Sequence, residues 1–250
     1  MTVRVLLLGG TTEARHLAAA LGGDPRMRVV SSLAGRVRAP RLPEGEVRVG
    51  GFGGVEGLAC WLRAERIDAV VDATHAFARQ ITSAAALACS EVGVPLLVLR
   101  RPEWAPGPDD DWRLVRSLPA AAALLPELGE RVFLTTGRQG VAAFAALDRL
   151  WFLVRSVEPP APPLPARTQV LLGRGPFTVA GELALLRAHR IDVLVAKNSG
   201  GVMTSAKLNA ARRLGLPVVM VSRPPEPGAP GATTAAEAQQ WVQALVRQRD

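Results

Sequence analysis

The chain opens on an apolar run, Val3–Leu8, that stops at the pair Gly9-Gly10. Apolar residues then recur at Ala14, Leu17, Ala18 and Leu21, the spacing of one helix face, and Gly22-Gly23 closes the pattern. This predicts strand, tight turn, helix. The alternation continues with a strand at Arg28–Leu33, a basic loop Gly35–Arg41, and a third strand running into the cluster Gly50-Gly51-Phe52-Gly53-Gly54. Next come a helix over Leu58–Glu65, a strand at Asp68–Asp72, a loop Ala73–Arg79, a helix over Gln80–Val92 and a strand at Pro95–Leu99. Strands alternating with helices predict an α/β fold whose parallel sheet is covered on both faces.

The second half repeats the first. Arg66-Ile67-Asp68 recurs as Arg190-Ile191-Asp192, and at the same shift Gly51 matches Gly175, Val55 matches Val179, Gly57 matches Gly181, and Leu62-Arg63 matches Leu186-Arg187. With the shift slightly shortened, Gly93-Val94-Pro95 matches Gly215-Leu216-Pro217 and Arg101-Pro102 matches Arg223-Pro224. Upstream, Arg4–Gly10 resembles Arg131–Gly137. The predicted organisation is one half at 1–102, a connecting segment at 103–130, and a second half at 131–250. Within the second half, Glu158–Pro165 is a Pro-rich loop and Pro225–Gly231 leads to a C-terminal helix over Ala235–Arg247. Two such halves are expected to bind ligand in a cleft between them, at the carboxyl ends of their strands.

Composition narrows the function classes. Of 250 residues, 48% are hydrophobic and 21% charged, which fits a soluble globular protein and excludes a disordered one. Two cysteines give neither a disulfide framework nor a zinc pattern, so no metal is expected. No apolar run approaches the roughly 18–20 residues of a membrane span. The start of the chain lacks a signal-peptide pattern, which points to the cytoplasm and away from membranes. The net charge of +8 favours an anionic partner. Nucleic acid fits poorly, because the arginines are scattered, aromatics are 4%, Tyr is absent and no nucleic-acid motif is present. A polyanionic small molecule fits better.

Candidate chemistry lies in the loops that follow strands. Gly9-Gly10-Thr11-Thr12-Glu13-Ala14 offers close backbone approach, a helix N-terminus and hydroxyl donors to a pyrophosphate, although it is not G-x-G-x-x-G. A tight turn with Thr as N-cap accounts for the same residues. The second strand ends in Ser31 and Ser32 and is followed by Arg36, with no acid. That suits the extra phosphate of NADP, which Arg36 could grip through two hydrogen bonds. Gly51, Phe52 and Gly53 suit close approach to a ring or pyrophosphate, or simply a turn. Asp72-Ala73-Thr74-His75 ends the strongest strand of the first half and makes His75 a candidate acid–base group, with water an equal rival for the proton; a polar loop residue accounts for the same histidine. In the second half, Lys197, Asn198, Ser199, Gly200 and Gly201, extended by Thr204, form a donor-rich cradle for carboxylates, and Arg138 adds a second anion site. Anion-binding loops without a nucleophile suit an enzyme whose cofactor carries the chemistry.

Taken in order, Gly9–Ala14, Gly51–Gly54, Asp72–His75, Arg101-Pro102-x-Trp104, Lys197–Gly201, Lys207-Leu208 and Ala210–Arg212 resemble the precorrin-6A reductase family of cobalamin biosynthesis. The resemblance spans about 1–224. It departs at Ala76, where the family usually has Pro. The resemblance implies two Rossmann-like halves and NADPH-dependent reduction of a macrocycle double bond, giving precorrin-6B or its cobalt form. NADPH would lie on Gly9–Ala14, Ser31, Ser32, Arg36 and Gly51–Gly53. A polycarboxylate tetrapyrrole-derived substrate would meet Thr74, His75, Arg138, Lys197–Gly201 and Thr204. A monomer or small homo-oligomer is expected. From the residues alone, an NADP-sensing protein and a transferase using a nucleotide-linked donor remain open.

Overall fold

The computed structural model describes residues 2–35 and 42–248; Arg36 lies outside the described residues. The chain forms two compact units, Met1–Pro102 with Pro224–Asp250, and Glu103–Arg223.

The first unit is built on β1 (Val3–Leu8), β2 (Met27–Leu33), β3 (Glu46–Val49), β4 (Ala69–Asp72) and β5 (Leu96–Leu99), with α1 (Thr12–Gly22), α2 (Gly54–Ala64) and α3 (Arg79–Val92) between them. Every strand pair is parallel. Side chains of β1 alternate between the two faces. Val3, Val5 and Leu7 join Leu17, Ala18 and Leu21 of α1 on one side, while Leu6 and Leu8 join Leu58, Leu62, Ala85 and Ala88 of α2 and α3 on the other. A sheet buried on both faces explains why β1 reads as an unbroken apolar run.

The second unit repeats this plan with β7 (Arg131–Leu134), β8 (Trp151–Ser156), β9 (Arg167–Leu172), β10 (Val193–Lys197) and β11 (Val218–Val221), and with α5 (Val179–Ala188) and α6 (Ala206–Arg213). Its sheet is also wholly parallel. A short 3-10 segment, Arg138–Phe144, stands where the first unit has α1.

The sixth strand of each sheet comes from beyond the repeat. After β5 the chain adds β6 (Trp112–Val115) to the second unit's sheet, giving the order β6-β11-β10-β7-β8-β9. After β11 it returns and adds β12 (Gly231–Ala232) to the first, giving β12-β5-β4-β1-β2-β3. Each added strand leads to a helix, α4 (Leu118–Leu124) or α7 (Ala235–Arg247). Two expectations change as a result. Residues 103–130 are not merely a connection, because they supply β6 and α4 to the second unit. The C-terminal helix belongs with the first half: Ala238, Val242 and Val246 form one helical stripe in the core with Leu17 and Leu21. The pairing that brings it there is Val98 N–H to Pro230 O at 2.9 Å and Arg100 N–H to Ala232 O at 2.9 Å.

The repeated tripeptide has a physical role. Arg66 and Arg190 both take a left-handed φ of 50°. Each ends its helix, so that Ile67 N–H and Ile191 N–H reach back to Leu62 O and Leu186 O, at 3.0 Å in both cases. The following aspartate then anchors the first strand of its unit: Arg4 N–H donates to Asp68 Oδ2 at 2.7 Å, and Arg131 N–H to Asp192 Oδ2 at 2.8 Å. Helix α2 starts at Gly54, four residues before the predicted Leu58. A β-carbon at Gly57 would collide with the Phe52 carbonyl oxygen, so glycine there permits the early start. No described helix is long and apolar enough to cross a membrane.

Candidate functional site

In the first unit the strand order reverses at β1, which lies between β2 and β4. Such a reversal opens a crevice at the strands' carboxyl ends. Gly9 N–H donates to Ser32 O at 2.9 Å, which keeps the first turn against the end of β2. Gly10 takes φ 113°, and a β-carbon there would meet nothing within 4 Å, so the backbone is bare on that side. Thr11 caps α1 by accepting from Ala14 N–H at 3.1 Å, while its hydroxyl donates to Ala73 O at 2.7 Å. That ties the turn after β1 to the loop after β4. The amides of Thr12 and Glu13 open the helix without intrahelical acceptors. Arg15 Nη2 donates to Thr12 Oγ1 at 3.0 Å.

A small cavity lies over this turn, lined by Leu7, Gly9, Gly10, Ala14, Arg15, Ser31, Leu33 and Pro43. Ser31 is 1% exposed, and its hydroxyl has no hydrogen-bond partner among the described residues. A buried hydroxyl rarely stays unpaired without a ligand or water to meet it. The open backbone, the helix N-terminus and the orphaned hydroxyl together fit the phosphate-and-ribose portion of a nucleotide. Ser32 is buried beside Arg48, whose Nη1 approaches its hydroxyl at 3.5 Å. Arg48 also donates to Gly50 O at 2.7 Å and Gly51 O at 2.6 Å, and covers the Phe52 ring at 3.8 Å. It thereby shapes the Gly51–Gly53 turn. Sequence reasoning passed over Arg48; a basic residue in a short strand, two positions after Glu46, was its only signal.

The loop after β4 is organised by a buried carboxylate. Asp72 accepts from Thr74 N–H at 3.0 Å, the Thr74 hydroxyl at 2.6 Å, the Thr82 hydroxyl at 2.6 Å and Arg100 Nη2 at 2.7 Å. Thr74 is thus turned inward, spending its proton on Asp72. His75 is exposed. Its Nδ1 accepts from Phe77 N–H at 3.2 Å, which puts the proton of the neutral ring on Nε2. Glu13 pairs with Arg101 at 3.2 Å.

The second unit differs at the matching place. At the end of β8, where register matches it to Ser32, stands Arg155. Its guanidinium is buried against Glu182 and lies 3.8 Å over the Phe177 ring. What this unit presents instead is the loop after β10. Lys197 ends that strand, and burial pulls its ammonium pKa below the usual lysine value. Asn198 is not directed outward as expected. Its Oδ1 accepts from Trp104 N–H at 2.9 Å, and its Nδ2 donates to Trp104 O and Glu103 Oε2, each at 3.0 Å. Ser199, Gly200, Gly201 and Thr204 follow in the same loop, with Gly200 and Gly201 at φ 68° and 79°. Arg138 lies after the neighbouring strand β7 and pairs with Glu158 at 2.9 Å. Thr136, two residues before it, is buried, and its hydroxyl has no partner among the described residues.

Comparison with known proteins agrees with this architecture. The family described as "Precorrin-6x reductase CbiJ/CobK" matches residues 4–243. A precorrin-6A reductase from Rhodococcus erythropolis is 59% identical over 98% of this chain and 99% of its own length. One from Mycobacterium tuberculosis is 55% identical, covering 97% and 98%. A cobalt-precorrin-6A reductase from Priestia megaterium is 30% identical over 88% of this chain and 90% of its own. A solved structure titled "CobK precorrin-6A reductase" superposes with a TM-score of 0.90 at 43% identity, covering 98% and 97% of the two chains.

Proposed function

The chain belongs to the precorrin-6x reductase family, and on that premise we propose that it reduces precorrin-6A to precorrin-6B with NADPH. The metal-free substrate is favoured over its cobalt form because relatives named for the metal-free one are 59% and 55% identical, against 30% for one named for the cobalt form.

The observation that carries the cofactor assignment is the orphaned Ser31 hydroxyl in a cavity floored by Gly9 and Gly10. The first unit is therefore assigned the nucleotide. Gly10 and the amides of Thr12 and Glu13 take the pyrophosphate, and Ser31 and Ser32 take the adenosine ribose and its phosphate. When bound, NADPH supplies the hydride. Saturating a double bond also takes a proton, and His75 in its imidazolium form is assigned as the donor to test, with water as its equal rival. The second unit is assigned the substrate's acetate and propionate carboxylates, through Lys197, the amides of its loop and Arg138. The net charge of +8 complements that polyanion.

Fluorescence titration with NADPH and NADH, on the wild type and Ser31→Ala, tests the reading. NADPH should bind more tightly, and loss of the hydroxyl should weaken it by about tenfold, the size of one good hydrogen bond to a polar ligand. Binding of neither nucleotide would overturn the proposal. It would then favour a transferase with a different nucleotide-linked donor.

A further inference from the structure

The Lys197–Thr204 loop is gripped by its carbonyls. Asn198 O accepts from Arg223 Nε at 2.9 Å, and Ser199 O from Arg223 Nη2 at 3.2 Å. Gly201 O accepts from the Trp104 indole N–H at 2.9 Å, and Val202 O from the Ser205 hydroxyl at 3.0 Å. Thr204 O accepts from Lys207 Nζ at 3.0 Å. Trp104 is in turn fixed through both its main-chain groups by the Asn198 side chain, and Lys207 lies 5.0 Å from its ring.

A peptide plane points its N–H opposite its C=O. Drawing the Ser199, Gly201 and Val202 carbonyls toward these side chains therefore turns the Gly200, Val202 and Met203 amides the other way. None of those three N–H groups donates to an acceptor among the described residues. Val202, on the same stretch, is 86% exposed. The Val202 and Met203 amides are thereby left without acceptors on an accessible stretch a few residues after Lys197, an arrangement that favours a carboxylate, whereas Gly200 is buried.

We infer that Arg223 and Trp104 are positioning residues for substrate recognition. They hold the loop by its Asn198, Ser199 and Gly201 carbonyls, so that the Val202 amide, together with the Met203 amide that the Ser205 hydroxyl turns, and not the Asn198 side chain, presents hydrogen bonds to a substrate carboxylate. The inference rests on the assignment of this loop to the substrate.

The experiment compares wild type, Arg223→Lys, Arg223→Gln, Trp104→Phe and Lys197→Ala. The probe is uroporphyrin, a stable tetrapyrrole octacarboxylate, followed by fluorescence anisotropy, alongside steady-state kinetics and NADPH affinity. Lysine keeps the charge of Arg223 but has no planar fork to bridge two adjacent carbonyls. Arg223→Lys, Arg223→Gln and Trp104→Phe should each weaken porphyrin binding by about tenfold, the worth of one or two hydrogen bonds to a charged group. KM should rise with kcat little changed, and NADPH affinity, a property of the first unit, should hold. If Lys197→Ala weakens porphyrin binding while the Arg223 and Trp104 variants match wild type, the positioning role is wrong and the substrate assignment stands. If Lys197→Ala binds porphyrin as wild type does, the loop is not the carboxylate site and both fall.

Discussion

The Arg100 guanidinium meets the Asp72 carboxylate at 2.7 Å where the two side chains are 7% and 0% exposed. Arg100 also donates to Asp72 O at 2.8 Å and to the Thr82 hydroxyl at 3.0 Å, so one residue after β5 fixes the whole turn after β4. Arg223, after β11 in the second unit, grips the Asn198 and Ser199 carbonyls and lies 3.7 Å from the Glu103 carboxylate. Breaking one half of a buried pair strands the other charge, at a cost of about 3–5 kcal/mol. Asp72→Asn should therefore lower the urea midpoint sharply. Asp72→Asn with Arg100→Met should recover part of the loss. A midpoint for the single variant within error of wild type would show that the pair does not hold this turn.

Two matched glycines should respond differently to alanine. A β-carbon at Gly57 would collide with the Phe52 carbonyl, which is backbone and cannot swing away. At Gly181 it would meet only the Thr178 hydroxyl, at 3.1 Å. Gly57→Ala should cost about 2–4 kcal/mol, the range of an overpacked interior with backbone displacement, and disturb the Phe52 turn. Gly181→Ala should stay within about 1 kcal/mol, because the helix preference for alanine offsets a small readjustment. Thermal melts of the two variants read the difference directly.

What was legible in the sequence was local. Val3–Leu8, the Ala14–Leu21 stripe and the Arg-Ile-Asp tripeptide are patterns of neighbours, and each marks an element the structure contains. The exchange of β6 and β12 was not legible, since Gly231-Ala232 is too short to carry a strand pattern and its partner Leu99 is far away in sequence. The role of Asn198 was hidden for the same reason. An amide in a Gly-rich loop looks like a ligand donor until Trp104, distant in sequence, is seen to take both ends of it. Arg48 and Arg100 carry no local signal, because most of their acceptors are backbone carbonyls and the acceptors of Arg100 include Asp72 and Thr82, distant in sequence.

The two cysteines should differ in reactivity. Burial, with a smaller contribution from the Asp72 charge, pushes the Cys89 thiol pKa up to about 12, whereas Cys60 is exposed. The thiolate is the reacting species, so at pH 8 an alkylating reagent should add once to the native protein, at Cys60. A second adduct, at Cys89, should appear only in denaturant. Intact-mass analysis distinguishes the two, and rapid double labelling of the native protein would refute the burial of Cys89.

Lys197 links stability to recognition through pH. Burial lowers its folded-state pKa below the 10.5 of an unfolded lysine. Between those two values the unfolded chain binds more protons than the folded one, so this group's contribution to stability rises with pH across that window and is a penalty below it. Lys197→Met removes the penalty and should raise the melting temperature at neutral pH. On the proposed assignment of Lys197 to a substrate carboxylate, the same change should also abolish tight porphyrin binding. In the wild type, porphyrin affinity should fall as pH climbs through the lowered pKa, earlier than an exposed lysine would allow. Lys197→Arg, charged throughout, should flatten that fall. A wild-type affinity that falls no earlier than an exposed lysine would make it fall would separate this half-buried ammonium from substrate binding.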